Sequence, residues 1–150
     1  MNDFVENPKS YDPQMHTAEH ILNQTMVRMF NKGRAFSAHI EKKKSKCDYH
    51  FDRNLTEEEV NEIQHKVNYV IKSNAYVHEE FITREQAAEI FNLDRLPDEA
   101  GNTLRVIKVG DYDRCLCSGP HVANTKEIGE FKIISTGFED GVLRIRFKLV

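Results

Sequence analysis

Two pairs of residues in this chain have the types and spacing of metal ligands. His16 and His20 lie four apart in His16-Thr17-Ala18-Glu19-His20, so a helix there stacks both imidazoles on one side. Cys117 and His121 flank Ser118-Gly119-Pro120, a turn that fixes backbone while the side chains around it converge. Together they offer three imidazole nitrogens and one thiolate, a donor set that tetrahedral Zn²⁺ accepts. Neither pair is decisive by itself. A further motif overlaps the first pair: His16-x-x-Glu19-His20 has the form of inverted zinc peptidases, whose helix supplies two ligands and a general base. The chain is short for such an enzyme and has no evident later helix with a carboxylate ligand. Glu19 is therefore expected to be a solvent-facing helix residue.

The elements that must carry these groups can be read from local patterns. Asp12 suits an N-cap and Pro13 a first helical position, which opens a helix running to about Phe30. Met15, Ala18, Leu22, Met26 and Met29 share one face of it, with His16, His20 and Val27 on the adjoining strip, so the histidines flank the core. Gly33 is expected to supply the left-handed residue that ends it. Ala35 to Ile40 reads as a strand, and Cys47, Tyr49 and Phe51 alternate with Asp48 and His50 in a second one. Thr56-Glu57-Glu58-Glu59 is a capping box for a second long helix with Val60, Ile63, Val67, Val70 and Ile71 as its apolar stripe. Tyr76 to Ile82 looks extended, and Thr83-Arg84-Glu85-Gln86 opens a short helix through Phe91. Residues 92 to 102 read as a loop. Leu104 to Val109 is β-branched and strand-like, whereas Asp113 to Thr125 is turn-rich. A closing hairpin runs through Gly137 to Gly141, and its last strand sets Leu143, Ile145, Phe147 and Leu149 against Arg144, Arg146 and Lys148. The expected class is α+β: a mainly antiparallel sheet with two longer helices packed on one face.

Bulk composition narrows the function. The 150 residues are 39% apolar and 30% charged, ordinary for a domain with one core. Residues 1–12 read as a flexible lead-in and 13–150 as a single domain. Met1-Asn2-Asp3-Phe4-Val5-Glu6 has neither a basic nor an apolar leader region, and three cysteines make no disulfide framework, so a cytoplasmic protein is expected. The net charge of −3 argues against wrapping nucleic acid with the whole surface. It leaves room for a local basic footprint, and Lys42, Lys43, Lys44 and Lys46 are either a solvated turn or a phosphate-contacting tip.

At this point a family resemblance becomes specific. His16-Thr17-Ala18-Glu19-His20-Ile21-Leu22 resembles the His-(Ser/Thr)-Ala-x-His-Leu-Leu motif of the editing (second additional) domain shared by threonyl- and alanyl-tRNA synthetases and the free-standing alanyl-tRNA editing proteins of the AlaX type. The similarity continues in order through Val67 to Asn74, Thr83 to Ala88, Leu104 to Tyr112, Cys117-Ser118-Gly119-Pro120-His121-Val122 and Asn124 to Ile133. The aminoacylation and glycine-rich accessory domains of longer relatives have no counterpart here, so the chain resembles the short form.

The resemblance implies an aminoacyl-tRNA deacylase, a carboxylic ester hydrolase serving translation fidelity by trans-editing mischarged tRNA, Ser-tRNA-Ala above all. Such a second site is needed because a synthetase pocket rejects a near-isostere carrying an extra hydroxyl by only about 10²-fold. By similarity His16, His20, Cys117 and His121 form both the catalytic centre and the zinc site. In the threonyl-type domain the equivalent residues need not hold a metal, which leaves histidine base catalysis open. Gly119-Pro120-His121 is threonyl-like, while Ile128-Gly129 and Leu104 to Asp111 are alanyl-like, so Ser-tRNA-Thr is the alternative substrate. Cys115 stands where the family usually has an acid, which also leaves open a non-catalytic, zinc-containing tRNA-binding module. Ser37, His39 and Cys115 are the expected pocket residues, and Arg34, Lys42, Lys43, Lys44 and Lys46 the expected tRNA contacts.

Overall fold

The computed structural model describes residues 10–91, 93 and 101–150. Most of the lead-in and most of the 92–102 loop expected from sequence thus lie outside the described residues.

The first helix, α1, spans Pro13–Phe30. Asp12 caps it by accepting the Met15 N–H, and Pro13 occupies the first turn, where its missing N–H costs nothing. It ends at Asn31, which adopts the left-handed conformation (φ 54°) and donates its N–H to Val27 O. Asn31 therefore takes the role expected of Gly33; an Asn side chain tolerates that region, and Gly33 adds a second positive φ two residues later. The second long helix, α2, spans Glu57–Lys72 with the capping box between Thr56 and Glu59 in place. Burial opposes ionisation of Glu59 only weakly, and the hydrogen bonds from Arg53 and Thr56 hold its pKa at about 2.

The strands form two antiparallel sheets. β1 (Ser37–His39), β2 (Ser45–His50), β6 (Phe131–Glu139) and β7 (Val142–Leu149) make a four-stranded sheet in the order β1-β2-β7-β6. β3 (Val77–Thr83), β4 (Thr103–Val109) and β5 (Asp113–Leu116) make a three-stranded one, with the short helix α3 (Arg84–Ala88) after β3. The class is α+β, as the sequence pattern implies. The division into two sheets and the strand β5 are additions, because pairing between distant strands leaves no local signal.

β7 carries the alternation expected of it: Leu143, Ile145 and Phe147 are buried on the inner face, with Arg144 and Arg146 on the outer. Cys47, Tyr49, Phe131 and Ile133 extend that face, and both long helices cover it through Met15, Ala18, Ile21, Leu22 and Met26 of α1 and Ile63, Val67, Val70 and Ile71 of α2. The β6–β7 turn is Asp140-Gly141, both at positive φ, which suits the twist of a tight hairpin.

The second sheet is pinned to the helices by polar contacts. Thr125, at the start of a 3-10 turn (Thr125–Glu127), is wholly buried; its hydroxyl accepts the Ala75 N–H and donates to Ile71 O. Tyr112, in the β4–β5 turn, bonds Thr25 of α1, and Arg28 lies 4.2 Å over its ring while donating to its carbonyl. No helix among the described residues is long and apolar enough to cross a membrane.

Thr125→Val keeps the side-chain shape but strands the Ala75 N–H and the Ile71 carbonyl. Urea unfolding should show a loss of about 1–3 kcal/mol, the cost of leaving buried polar groups unpaired; an unchanged midpoint would mean that this contact does not hold the second sheet in place.

Candidate metal centre

α1 and the loop after β5 meet at one point. The side chains of His16, His20, Cys117 and His121 each bring a ligand atom within 4.8 Å of the others. His16 and His20 are buried because the helix strip that carries them faces the second sheet and this loop rather than solvent. The His16 and His121 rings stack at 4.0 Å, His20 meets His121 edge-on at 4.5 Å, and Tyr11 closes the far side of His16 at 4.8 Å.

The loop is held by a residue whose role is not evident from sequence. Arg105 of β4 donates from Nη1 to the carbonyls of Cys117 and Gly119, while its Nε reaches Glu79 on β3 at 2.6 Å. The Cys117 N–H returns a bond to Arg105 O. One guanidinium thus spans the turn that separates Cys117 from His121.

The outer nitrogens of the imidazoles decide which way the rings face. His16 Nδ1 is 3.0 Å from Pro120 O, which can only accept, so Nδ1 carries the proton and Nε2 presents its lone pair 3.2 Å from Cys117 Sγ. Thr17 Oγ1 donates its one proton to Pro13 O and therefore accepts from His121 Nδ1 at 2.9 Å, as it does from Val122 N–H. This leaves His121 Nε2 as a buried lone pair with no hydrogen-bond partner among the described residues. His20 Nδ1 lies 3.4 Å from Asp113 Oδ2, close enough for an ion-pair contact but not aligned as a hydrogen bond. An orphaned inward nitrogen and outer nitrogens turned to acceptors are the arrangement that orients imidazoles toward a metal. The donor set fits: the residues present could hold a metal ion.

Charge distribution agrees. Burial pushes the Cys117 thiol up, but the imidazoles of His121, His16 and His20 outweigh it and bring the pKa down to about 3. Burial depresses His20, yet Asp113, Cys117 and Glu19 together raise it well above its ordinary value. His121 falls to about 4 through burial and the neighbouring His20 and His16, against the opposing pull of Cys117. Asp113 is almost wholly buried. Burial alone would raise its pKa, but His20 and Arg34 hold it well below the usual carboxylate range.

The other residues expected at the site divide. Cys115 is half-buried beside the cluster, on the same face of β5 as Asp113; burial raises its pKa. Ser37 and His39 do not join them: they pair with Asp48 and Lys46 on the outer face of the first sheet, where Asp48 holds Arg144. Arg34 has its guanidinium on Asp113 at 2.6 and 3.2 Å, which makes it a support of His20 rather than an open phosphate contact. Lys42, Lys43 and Lys44 are exposed in the β1–β2 turn, and Lys46 is half-buried on the outer face opposite Arg146. Glu19 departs from its expected solvent-facing place. Its side chain is 12% exposed, and Oε1 lies 3.8 Å from His16 Nε2. Sequence reasoning missed Thr17, Asp113 and Arg105; of these, only Thr17 carried a signal, its place between the two histidines.

Comparison with known proteins supports the relation. Residues 104–146 match the family described as the threonyl and alanyl tRNA synthetase second additional domain, a span that includes Cys117 and His121. An alanine-tRNA ligase of Ligilactobacillus salivarius is 36% identical over 132 residues, covering 87% of this chain and 15% of that protein. The chain is an editing-domain-like relative of alanyl-tRNA synthetases. The alanine-tRNA ligase of Aeropyrum pernix is 34% identical over 139 residues (88% of this chain, 15% of that protein), and that of Leptospira biflexa 32% over 129 (81% and 13%). The chain thus spans about 15% of the length of the curated relatives it matches.

The editing-domain-like fold puts Thr17 behind one metal-facing nitrogen. Thr17→Val should preserve the fold but weaken divalent-metal affinity by roughly 10- to 100-fold, the usual effect of losing such a support. Competition against a chromophoric chelator, with Co²⁺ as the probe, measures it; equal affinities would mean that the His121 orientation is set elsewhere.

Proposed function

We propose that this chain hydrolyses the ester bond of mischarged aminoacyl-tRNA, with Ser-tRNA-Ala as its substrate and residues 13–150 acting as one editing domain. The observation that carries this reading is the convergence of His16, His20, Cys117 and His121 in a relative of the alanyl-tRNA synthetase second additional domain. The same four residues are proposed as the catalytic centre and as the ligands of a zinc ion. Bound there, zinc would supply Lewis acidity toward the ester carbonyl.

The chain's own groups supply the rest. Pro120 O and Thr17 Oγ1 keep the outer protons of His16 and His121 in place, and Asp113 backs His20, so the three inner nitrogens stay available without rotamer search. The Cys117 thiolate adds the negative charge that suits a divalent cation over a monovalent one. Arg105 fixes the spacing between Cys117 and His121, which limits how far the reacting ester can shift. Lys42, Lys43 and Lys44 stand exposed at the β1–β2 turn, where mobile ammonium groups can meet the phosphates of an acceptor end.

The test is deacylation of Ser-tRNA-Ala, Ser-tRNA-Thr and the correctly charged Ala-tRNA-Ala by the purified chain. Ser-tRNA-Ala should be hydrolysed at least about 100-fold faster than background, and Cys117→Ala and His20→Ala should each remove most of that rate. Faster hydrolysis of Ser-tRNA-Thr would move the substrate to the threonyl side. No hydrolysis of either, with tRNA still bound, would make the chain a non-catalytic zinc-containing tRNA-binding module.

A further inference from the structure

Two carboxylates act on His20, those of Asp113 and Glu19, and they are not alike. Asp113 is fully engaged: Oδ1 accepts from Gln24 Nε2 at 2.9 Å and from Arg34 Nη1 at 2.6 Å, and Oδ2 accepts from Arg34 Nη2 while facing His20. Glu19 has one oxygen engaged. Its Oε2 accepts from Asn23 Nδ2, one helical turn along α1. Its Oε1 stands 3.8 Å from His16 Nε2, beyond hydrogen-bond reach, and the outer proton of His16 makes that nitrogen a lone pair and not a cation. Among the described residues no lysine or arginine pairs with Glu19.

This carboxylate is also held still. Asn23 is buried, and its Oδ1 accepts from Tyr49 Oη at 2.8 Å and from the Ala35 N–H at 3.0 Å, which turns its Nδ2 toward Glu19. Tyr49 is itself buried in the sheet core. A chain of hydrogen bonds from β2 through α1 therefore fixes a mostly buried negative charge at the edge of the metal-ligand cluster, with one oxygen unused. Such a charge is costly unless a cation meets it. The aminoacyl ester of the proposed reaction carries one, the α-ammonium group, a short distance from its carbonyl.

We propose that Glu19 Oε1 binds the α-ammonium group of the aminoacyl substrate, making Glu19 the residue that admits free amino acid esters and excludes N-blocked ones. The inference rests on the hydrolase reading for its ligand class. Asn23 and Tyr49 are positioning residues that act through Glu19.

The experiment is calorimetric titration of the zinc-loaded chain with two non-hydrolysable probes. One is 3′-seryl-amino-3′-deoxyadenosine, with a free ammonium; the other is its N-acetyl form, which is neutral. Wild type should bind the free amine about 10- to 100-fold more tightly, the range of one charge-assisted hydrogen bond. Glu19→Gln, which keeps an acceptor for Asn23, should lose that preference by weakening the amine probe alone, with zinc content and melting temperature unchanged. Equal wild-type affinity for the two probes, binding of neither, or equal weakening of both by Glu19→Gln overturns the proposal. Amine selectivity that depends on Glu19, without deacylation of any seryl-tRNA, would sink the hydrolase reading and leave this one standing. Deacylation with no such selectivity does the reverse.

Discussion

The outward hydrogen bonds of three histidines are the constraint on which the rest of the structure depends. His16 gives its outer proton to Pro120 O, His121 gives its own to Thr17 Oγ1, and His20 faces Asp113. Each ring is thereby turned inward, and each partner belongs to a different part of the chain: the loop after β5, the first turn of α1, and the start of β5. The site forms only if α1, β5 and that loop assemble together. Arg105 at the loop and Arg34 at Asp113 are the two guanidiniums that make this assembly tolerable for so many buried polar groups.

Burial and charge work against each other throughout the centre. Taking a thiol, two carboxylates and three imidazoles out of water favours their neutral forms, yet the groups are arranged so that each charge meets an opposite one. Cys117 is kept ionised by the imidazoles around it, and Asp113 by Arg34 and His20, both against the direction in which burial pushes. Breaking one member therefore exposes the desolvation cost of its partners, so substitutions here should act on stability as well as on function. Glu19 is the exception, because its opposite charge is not supplied by a lysine or arginine of the described chain.

How much of this was legible in the sequence follows from the range over which each signal acts. The N-cap of α1, the capping boxes at Thr56 and Thr83, and the alternation in β7 depend on residues within a few positions of each other, and each is present as read. The four ligand-type residues were legible from their side-chain chemistry and from the resemblance to editing domains, even though His16 and Cys117 are 101 residues apart. Arg105, Asp113 and Arg34 were not legible as parts of the centre, since their roles arise only when β4, β5 and the segment after α1 are folded beside it. β5 escaped notice because Asp113-Arg114-Cys115-Leu116 has turn-forming neighbours and no run of β-branched residues; pairing with β4 makes it a strand. Ser37 and His39 missed the site because register, and not composition, sends them to the outer face. Glu19 was misplaced because helical spacing locates a residue on a face but does not reveal the loop that later covers that face.

The central claim is that His16, His20, Cys117 and His121 act as one metal-holding set, with Cys115 nearby but outside it. X-ray absorption at the zinc edge of the zinc-loaded chain tests it most directly. The account predicts one sulfur at about 2.3 Å and three nitrogens at about 2.0–2.1 Å. Two sulfurs in the shell, or a shell of oxygen and nitrogen alone, would contradict it.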